Sequence, residues 1–367
     1  MKKVGIITLN GYKNYGNRLQ NYALQETIKS VGYSVDTILI KHEAKNPRLI
    51  TRVKNTFKSL EFSKVFQKVY NKRNKKYHQG KVKKFKEFSN ELISETEYAI
   101  TRDHLPLDKL SHYDYFVVGS DQVWNPFYIN GSSLYFLDFA PPAKRISYAA
   151  SFGISSIPDE FKKDYQKYLK EMKDLAVRED QGIDIIKDLT GRDDAQVVVD
   201  PTMLLTKDKW REIAKPSSEK PSSPYLLTYF LGDVSNSTKG EINRIAKEKK
   251  LKIINLASLK DVKYYTSDPS EFVDFIDSAE IFCTDSFHGV VFSIILETPF
   301  IVYERGGSLP SMNSRIETLL SKFNLESRLD KNITSKSQVD KIDYSHVDKI
   351  LKEEREKAFT YLKKALK

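Results

Sequence analysis

Ala279-Glu280-Ile281-Phe282-Cys283-Thr284-Asp285-Ser286-Phe287-His288-Gly289-Val290-Val291-Phe292-Ser293-Ile294-Ile295-Leu296 is the stretch that decides the fold. The apolar run from Ala279 to Phe282 reads as a buried strand, a polar turn follows, and Val290 to Leu296 reads as a buried helix. His288 therefore falls where the carboxyl end of a strand meets the amino end of a helix. Open α/β sheets hold their ligands at that place. The unpaired N–H groups and the positive dipole end there favour an anion, to which a histidine can give a proton. The plain alternative is an ordinary cap at Asp285 or Ser286, with His288 a polar first-turn residue.

Outward from this stretch, strand alternates with helix along the whole chain. Strands are expected at Val4–Leu9, Ser34–Ile40, Tyr113–Val118, Arg145–Ala149, Leu175–Val177 and Gln196–Val199, with helices at Asn17–Ser30 and Asp159–Met172. A Pro/Ser-rich stretch, residues 215–224, then reads as a linker. Beyond it, strands are expected at Tyr225–Leu231, Lys252–Leu256, Glu280–Thr284 and Phe300–Tyr303, with helices at Lys239–Lys249, Pro269–Ser278, Phe287–Leu296 and Ser314–Lys322. The organisation is thus an N-terminal α/β domain (1–214) carrying a basic helical insertion (41–90), a C-terminal α/β domain (225–344), and a terminal helix (345–367) packing back on the first domain. Each domain reads as a mostly parallel, Rossmann-like sheet, and the two face one another across a cleft.

Composition sets the limits. At 367 residues and 40% hydrophobic content the chain is long enough for two cores. No apolar run approaches the ~18 residues of a membrane span, and Met-Lys-Lys leads directly into a strand, so a cytoplasmic protein is expected. A single cysteine, Cys283, excludes an internal disulfide framework and a multi-cysteine zinc site. Histidines are not paired at ligand spacing, so no metal centre is expected. The net charge of +11 is concentrated: Lys41 to Phe88 holds 16 Lys and Arg against three acids, a net of +13. Apolar residues recur through that segment at helical spacing. No nucleic-acid-reading motif accompanies it, so no nucleic acid is expected; an anionic membrane surface or an acidic polymer fits the charge, and a solvated helical face is the plain alternative.

Four further motifs carry polar groups at strand–helix corners. Asn14-Tyr15-Gly16-Asn17-Arg18-Leu19-Gln20-Asn21-Tyr22 lacks the G-x-G-x-x-G spacing of a dinucleotide site, and Asn17, Gln20 and Asn21 suit sugar hydroxyls or phosphate oxygens, or simply a capped turn. In Gly119-Ser120-Asp121-Gln122-Val123-Trp124-Asn125, Asp121 and Gln122 can hold hydroxyls while Trp124 either stacks on a sugar or anchors the loop in the core. Arg178 follows a short strand and can fork onto a carboxylate or phosphate, or pair with Asp200. Arg305 and Asn313-Ser314-Arg315 follow the last strand. One histidine with several arginines at strand ends describes a site for a small polyanion with acid–base assistance.

The ordered set of these blocks, with Ser147-Tyr148-Ala149-Ala150-Ser151-Phe152-Gly153, Val177-Arg178-Glu179, Val199-Asp200-Pro201-Thr202 and Asp285-Ser286-Phe287-His288-Gly289, resembles the polysaccharide pyruvyl transferase family. The resemblance implies a fold similar to the two-domain glycosyltransferase-B arrangement. It also implies transfer of the enolpyruvyl unit of phosphoenolpyruvate onto two hydroxyls of a saccharide acceptor, often lipid-linked, to form a pyruvate ketal, with no cofactor. On the matched positions His288 is the acid–base group, and Arg178 and Arg305 act with it. Ser286, Gly289, Asn313 and Arg315 lie around the donor, and Asn17, Gln20, Asn21, Asp121, Gln122 and Trp124 around the acceptor. Several members carry arginine where this chain has Ser286, so the contact must come from Arg305 or Arg315. A nucleotide-sugar glycosyltransferase of similar architecture and a non-catalytic glycan-binding protein are the alternatives.

Overall fold

The computed structural model describes residues 1–41, 74–306, 314–333, 338–339 and 342–367. Asn313 and residues 42–73 of the basic insertion lie outside the described residues.

In the first lobe, β1 (Lys3–Ile7) leads through an Asn/Gly loop into α1 (Tyr15–Ser30), followed by β2 (Ser34–Ile40). Helix α2 (Lys75–Leu92) is the described part of the basic insertion; β3 (Glu95–Ile100), β4 (Tyr115–Val118) and β5 (Arg145–Ser147) follow. These strands form a five-stranded parallel sheet in the order β3-β2-β1-β4-β5. After α3 (Asp159–Lys170), the short strands β6 (Ala176–Val177) and β7 (Gln196–Val197) pair in parallel around α4 (Asp180–Thr190). Bridges Ile146↔Asp174 and Ala150↔Val177 join them to the β5 edge. The four residues of β4, Tyr-Phe-Val-Val, are all buried, as a strand covered by helices on both faces requires.

Helix α5 (Lys207–Ile213) leads into the second lobe. There β8 (Tyr225–Tyr229), α6 (Asn236–Glu248), β9 (Lys252–Asn255), α7 (Pro269–Asp277), β10 (Ile281–Thr284), α8 (Phe287–Leu296) and β11 (Phe300–Val302) build a parallel sheet in the order β11-β10-β8-β9. Helix α9 (Ser314–Lys322) follows. Every residue of α8 is buried, which fits a helix apolar on all sides and packed between a sheet and the other lobe. Helix α10 (Val347–Ala365) returns to the first lobe, where Tyr361 donates to the Ser147 carbonyl (2.7 Å) and Arg355 to the carbonyls of Met203 and Leu205 (2.8 Å each).

Strand order reverses between β1 and β4 in the first sheet and between β8 and β10 in the second, so each lobe opens a crevice at the carboxyl ends of those strands. One side chain ties each crevice together. Gln20 donates to Thr8 Oγ1 (2.8 Å) and accepts from the Ser120 N–H (3.0 Å). The carboxylate of Asp285 accepts from the N–H groups of Leu231 (2.7 Å) and Gly232 (2.8 Å).

An apolar cluster runs unbroken from β1 to α8 across both lobes. Tyr15 of α1 stacks on Phe272 of α7 at 4.3 Å and 11°, and Trp210 of α5 meets Phe292 of α8 edge-on at 4.8 Å. Burying such a ring contributes roughly 1.5–3 kcal/mol, and a good aromatic pair about 1 kcal/mol more. Lobes joined only by a polar interface move freely; an aromatic interface of this kind holds them together.

Candidate active site

Ser286 caps α8, its Oγ accepting from the Gly289 N–H at 3.3 Å, so His288 stands in the first turn with its side chain turned toward the first lobe. The imidazole is 6% exposed. Its Nε2 lies 3.5 Å from Oδ2 of Asp200. One face of the ring rests on Gly16, where an added Cβ would come within 2.1 Å of Nδ1. Only glycine fits beneath the ring. This contact brings the amino end of α1 against the amino end of α8, and Asn14 at the start of α1 makes no side-chain cap. Two helix amino ends, one from each lobe, thus converge on one histidine.

Asp200 is the hub of the first lobe's contribution. Its Oδ1 accepts from Thr202 N–H (3.0 Å) and Oγ1 (2.7 Å), and its Oδ2 from Ser120 Oγ (2.9 Å) and Arg178 Nη1 (2.8 Å). Burial pushes this carboxyl up, but His288 and Arg178 beside it more than offset that and hold it well below the usual carboxylate range. Arg178 also reaches Asp121 (3.3 Å), and its guanidinium lies 4.0 Å over the ring of Phe287. Asp121 likewise stays below its ordinary value: burial raises it, while Arg178, His288 and Arg315 lower it. Its φ of 68° places a non-glycine residue in the left-handed region, a strained conformation of the sort that clusters at functional sites. Glu179 turns inward too, with Oε1 accepting from Ser151 Oγ (2.8 Å) and the Phe152 N–H (3.1 Å).

From the second lobe, Arg305 donates to the Asp285 carbonyl at 3.0 Å, and its Nε lies 3.4 Å from the Asp285 carboxylate. Arg315 is different. It is 4% exposed and makes no hydrogen bond or ion pair with any described residue; the ring of Phe287, 5.9 Å away, is its nearest cationic contact. Burial pushes its guanidinium down to about 10, and the like charge of Arg178 acts in the same direction. Arg178, Asp121, Glu179 and Arg305 all act on Arg315 electrostatically, so the three arginines lie close to one another.

The sequence-predicted residues separate into two groups. His288, Arg178, Arg305, Arg315, Ser286, Gly289 and Asp121 come together. The amides divide: Gln20 is spent on the two loops it joins, whereas Asn21 is wholly buried, its Oδ1 accepting from Thr37 Oγ1 at 2.7 Å and its Nδ2 without a partner among the described residues. Asn17 lies at the rim of burial with only its backbone carbonyl accepting from Gln20, so its side-chain amide is uncommitted among the described residues, and Gln122 Oε1 accepts from Asn125 Nδ2 at 2.9 Å. The sugar-stacking reading of Trp124 is overturned. Its ring is fully buried, stacked on Phe136 (5.6 Å, 3°), with Nε1 donating to the Tyr135 carbonyl at 2.9 Å. It anchors the loop in the core. The exposed rings of that loop are its neighbours Phe127 and Tyr128. Asp200 and Gly16 were legible only as members of motifs, and the signal for Asp200 was its place after a strand, like that of His288 and Arg178.

The profile of the family described as polysaccharide pyruvyl transferase matches residues 14–307, the span that holds every one of these residues except Arg315. The chain belongs to the polysaccharide pyruvyl transferase family. It is thereby a transferase of polysaccharide biosynthesis. No curated protein matches the sequence. Among solved structures, a Listeria monocytogenes protein described as a UDP-N-acetylglucosamine 2-epimerase is similar over 98% of this chain and 91% of its own, with 10% identity and a TM-score of 0.50. The UDP complex of Arabidopsis thaliana UGT89C1 is similar over 98% and 94%, with 10% identity and a TM-score of 0.43. With its two parallel sheets and the first of these likenesses, the fold of this pyruvyl transferase family member is α/β with two Rossmann-like domains. Among the described residues no helix is long and apolar enough to cross a membrane.

Proposed function

We propose that this protein transfers the enolpyruvyl unit of phosphoenolpyruvate onto two hydroxyls of a saccharide, with His288 as the acid–base group. The observation that carries the reading is Arg315, a buried guanidinium in direct ion pair with no described carboxylate, although Glu179 and Asp121 act on it from further off. A buried unpaired charge costs several kcal/mol, which an anionic ligand offsets. Arg178 is already engaged by Asp200 and Asp121, so the donor's phosphate or carboxylate falls to Arg315, supported by Arg305 and the two helix amino ends.

The chemistry then uses this chain's groups in order. Protonation of the donor's methylene carbon by the His288 imidazolium makes a methyl group and leaves C2 electron-poor. One sugar hydroxyl adds to C2 and returns its proton to the imidazole. The C2–O bond to phosphate breaks, and the second hydroxyl closes the ketal, its proton leaving with the phosphate. Fixed positive groups around the donor act by positioning and by stabilising developing charge.

The test is donor binding followed by turnover. Phosphoenolpyruvate at 100 times its dissociation constant is expected to stabilise the protein by about 2.7 kcal/mol, with sugar nucleotides giving no shift. His288→Ala is expected to fold, to keep that shift and to lose phosphate release with an acceptor. Stabilisation by sugar nucleotides alone, or near-normal turnover by His288→Ala, would sink the reading. The basic segment 41–88 is proposed to hold the enzyme on anionic lipid at the inner face of the membrane, near a lipid-linked acceptor. Co-sedimentation with phosphatidylserine vesicles is expected to fall when its lysines are neutralised, and equal binding by both forms counts against it.

A further inference from the structure

We infer that Asp200 is the positioning residue of His288: a carboxylate of the first lobe fixes the tautomer and orientation of an imidazole that belongs to the second. The inference rests on His288 being the acid–base group of the reaction proposed above. Four donors from three other residues hold the Asp200 carboxylate, so it cannot swing. The His288 Nε2 atom is buried and has no hydrogen bond within the described residues, and Oδ2 of Asp200 is the carboxylate oxygen in its reach, at 3.5 Å. The ring cannot tilt out of its plane toward the first lobe, because Gly16 lies against its face over Nδ1, Cγ and Cε1. Two first-lobe residues therefore clamp one second-lobe side chain.

A plainer role for Asp200 is to neutralise Arg178. That role leaves two observations without a purpose. Arg178 already has Asp121 as a second carboxylate, and the Oδ2 atom that takes Arg178 is the one turned to the imidazole. A carboxylate placed so on a histidine accepts one ring N–H and thereby selects which nitrogen keeps the proton when the ring is neutral. In this geometry Nε2 keeps it, and the acid–base group becomes complete only where the lobes meet.

The experiment reads the tautomer in the intact protein labelled with ¹⁵N-histidine, with the His288 signals assigned by their loss in His288→Gln. The neutral wild-type ring is expected to carry its proton on Nε2, and Asp200→Ala to mix the two tautomers. In turnover assays, Asp200→Asn is expected to lower kcat by about 10²- to 10⁴-fold with KM for the donor changed less than threefold, and Asp200→Glu to recover part of the loss. A wild-type ring protonated on Nδ1 overturns the inference and needs no variant to fold. An Asp200→Ala variant that folds with an unchanged tautomer overturns it as well. The tautomer is read without donor or acceptor, so failure of phosphoenolpyruvate transfer and failure of this inference are told apart.

Discussion

Tyr15 and Gly16 are consecutive residues, yet they belong to two unlike halves of the lobe interface. Tyr15 enters an aromatic half, stacked on Phe272 and edge-on to Tyr229 at 5.4 Å. Gly16 borders a charged half built from His288, Asp200, Arg178 and Arg315. Each half buries a cation that makes no direct ion pair with a described carboxylate. In the aromatic half Lys81 of α2 is 4% exposed, with its ammonium 4.3 Å from the Tyr15 ring and 4.6 Å from the Tyr265 ring. Ring faces attract a cation, so Lys81 is answered by the protein itself. In the charged half Arg315 has one distant ring and no described acceptor. The difference separates a cation that joins two lobes from a cation that awaits a ligand.

Removing Arg315 is the strongest way to break that comparison. Arg315→Met is expected to lower kcat/KM for phosphoenolpyruvate by about 10²- to 10³-fold, the usual cost of losing one charge-stabilising donor. The same change removes a desolvated charge and fills its space with an apolar chain, so the unliganded protein should melt no lower than wild type. Steady-state kinetics and a melt on one preparation check both halves of the statement. A variant that melts several degrees lower with turnover intact would make Arg315 a structural group.

Much of this was legible in the sequence where a signal was local. Strand Ser34–Ile40 and helices Phe287–Leu296 and Ser314–Lys322 have the bounds that their apolar patterns predict. Strand β3 was not read, because Glu-Thr-Glu-Tyr-Ala-Ile is an edge strand with two buried residues, and its Glu95 is held by an ion pair to Arg18 at 2.6 Å. Pairing to β2 makes it a strand, and no propensity announces that. Helix α4 was hidden by Gly182, which reads as a breaker but is needed here. A Cβ there would come within 3.0 Å of Val177. Around the candidate site, the positions of His288, Arg178 and Arg305 after strands could be read because strand ends are visible in sequence. What an amide or an indole faces is decided by tertiary packing, and Gln20, Asn21 and Trp124 all turned inward. The cross-lobe pairing of Asp200 with His288 joins residues 88 apart in sequence, and no motif spacing encodes it.

The smaller effect, and the sharper test of the comparison, is at Lys81. Burial pushes its ammonium from 10.5 down to about 7. Between those values the unfolded chain holds a proton that the folded chain does not, so stability rises with pH across that window. At pH 7 the depressed value corresponds to a net penalty of about 4 kcal/mol for the charge. Lys81→Met is therefore expected to stabilise the protein by up to about 4 kcal/mol at pH 7, and the gain should shrink as pH rises to 10.5 and the unfolded lysine also loses its proton. Chemical denaturation at pH 7, 8.5 and 10 measures the trend. Because Met cannot bridge Tyr15 and Tyr265 with a charge, a loss of stability at pH 7 would mean that the ring faces outweigh burial. The ammonium would then be a net tie between the lobes. Either sign leaves Arg315 distinct, since its variant changes turnover and that of Lys81 is expected not to.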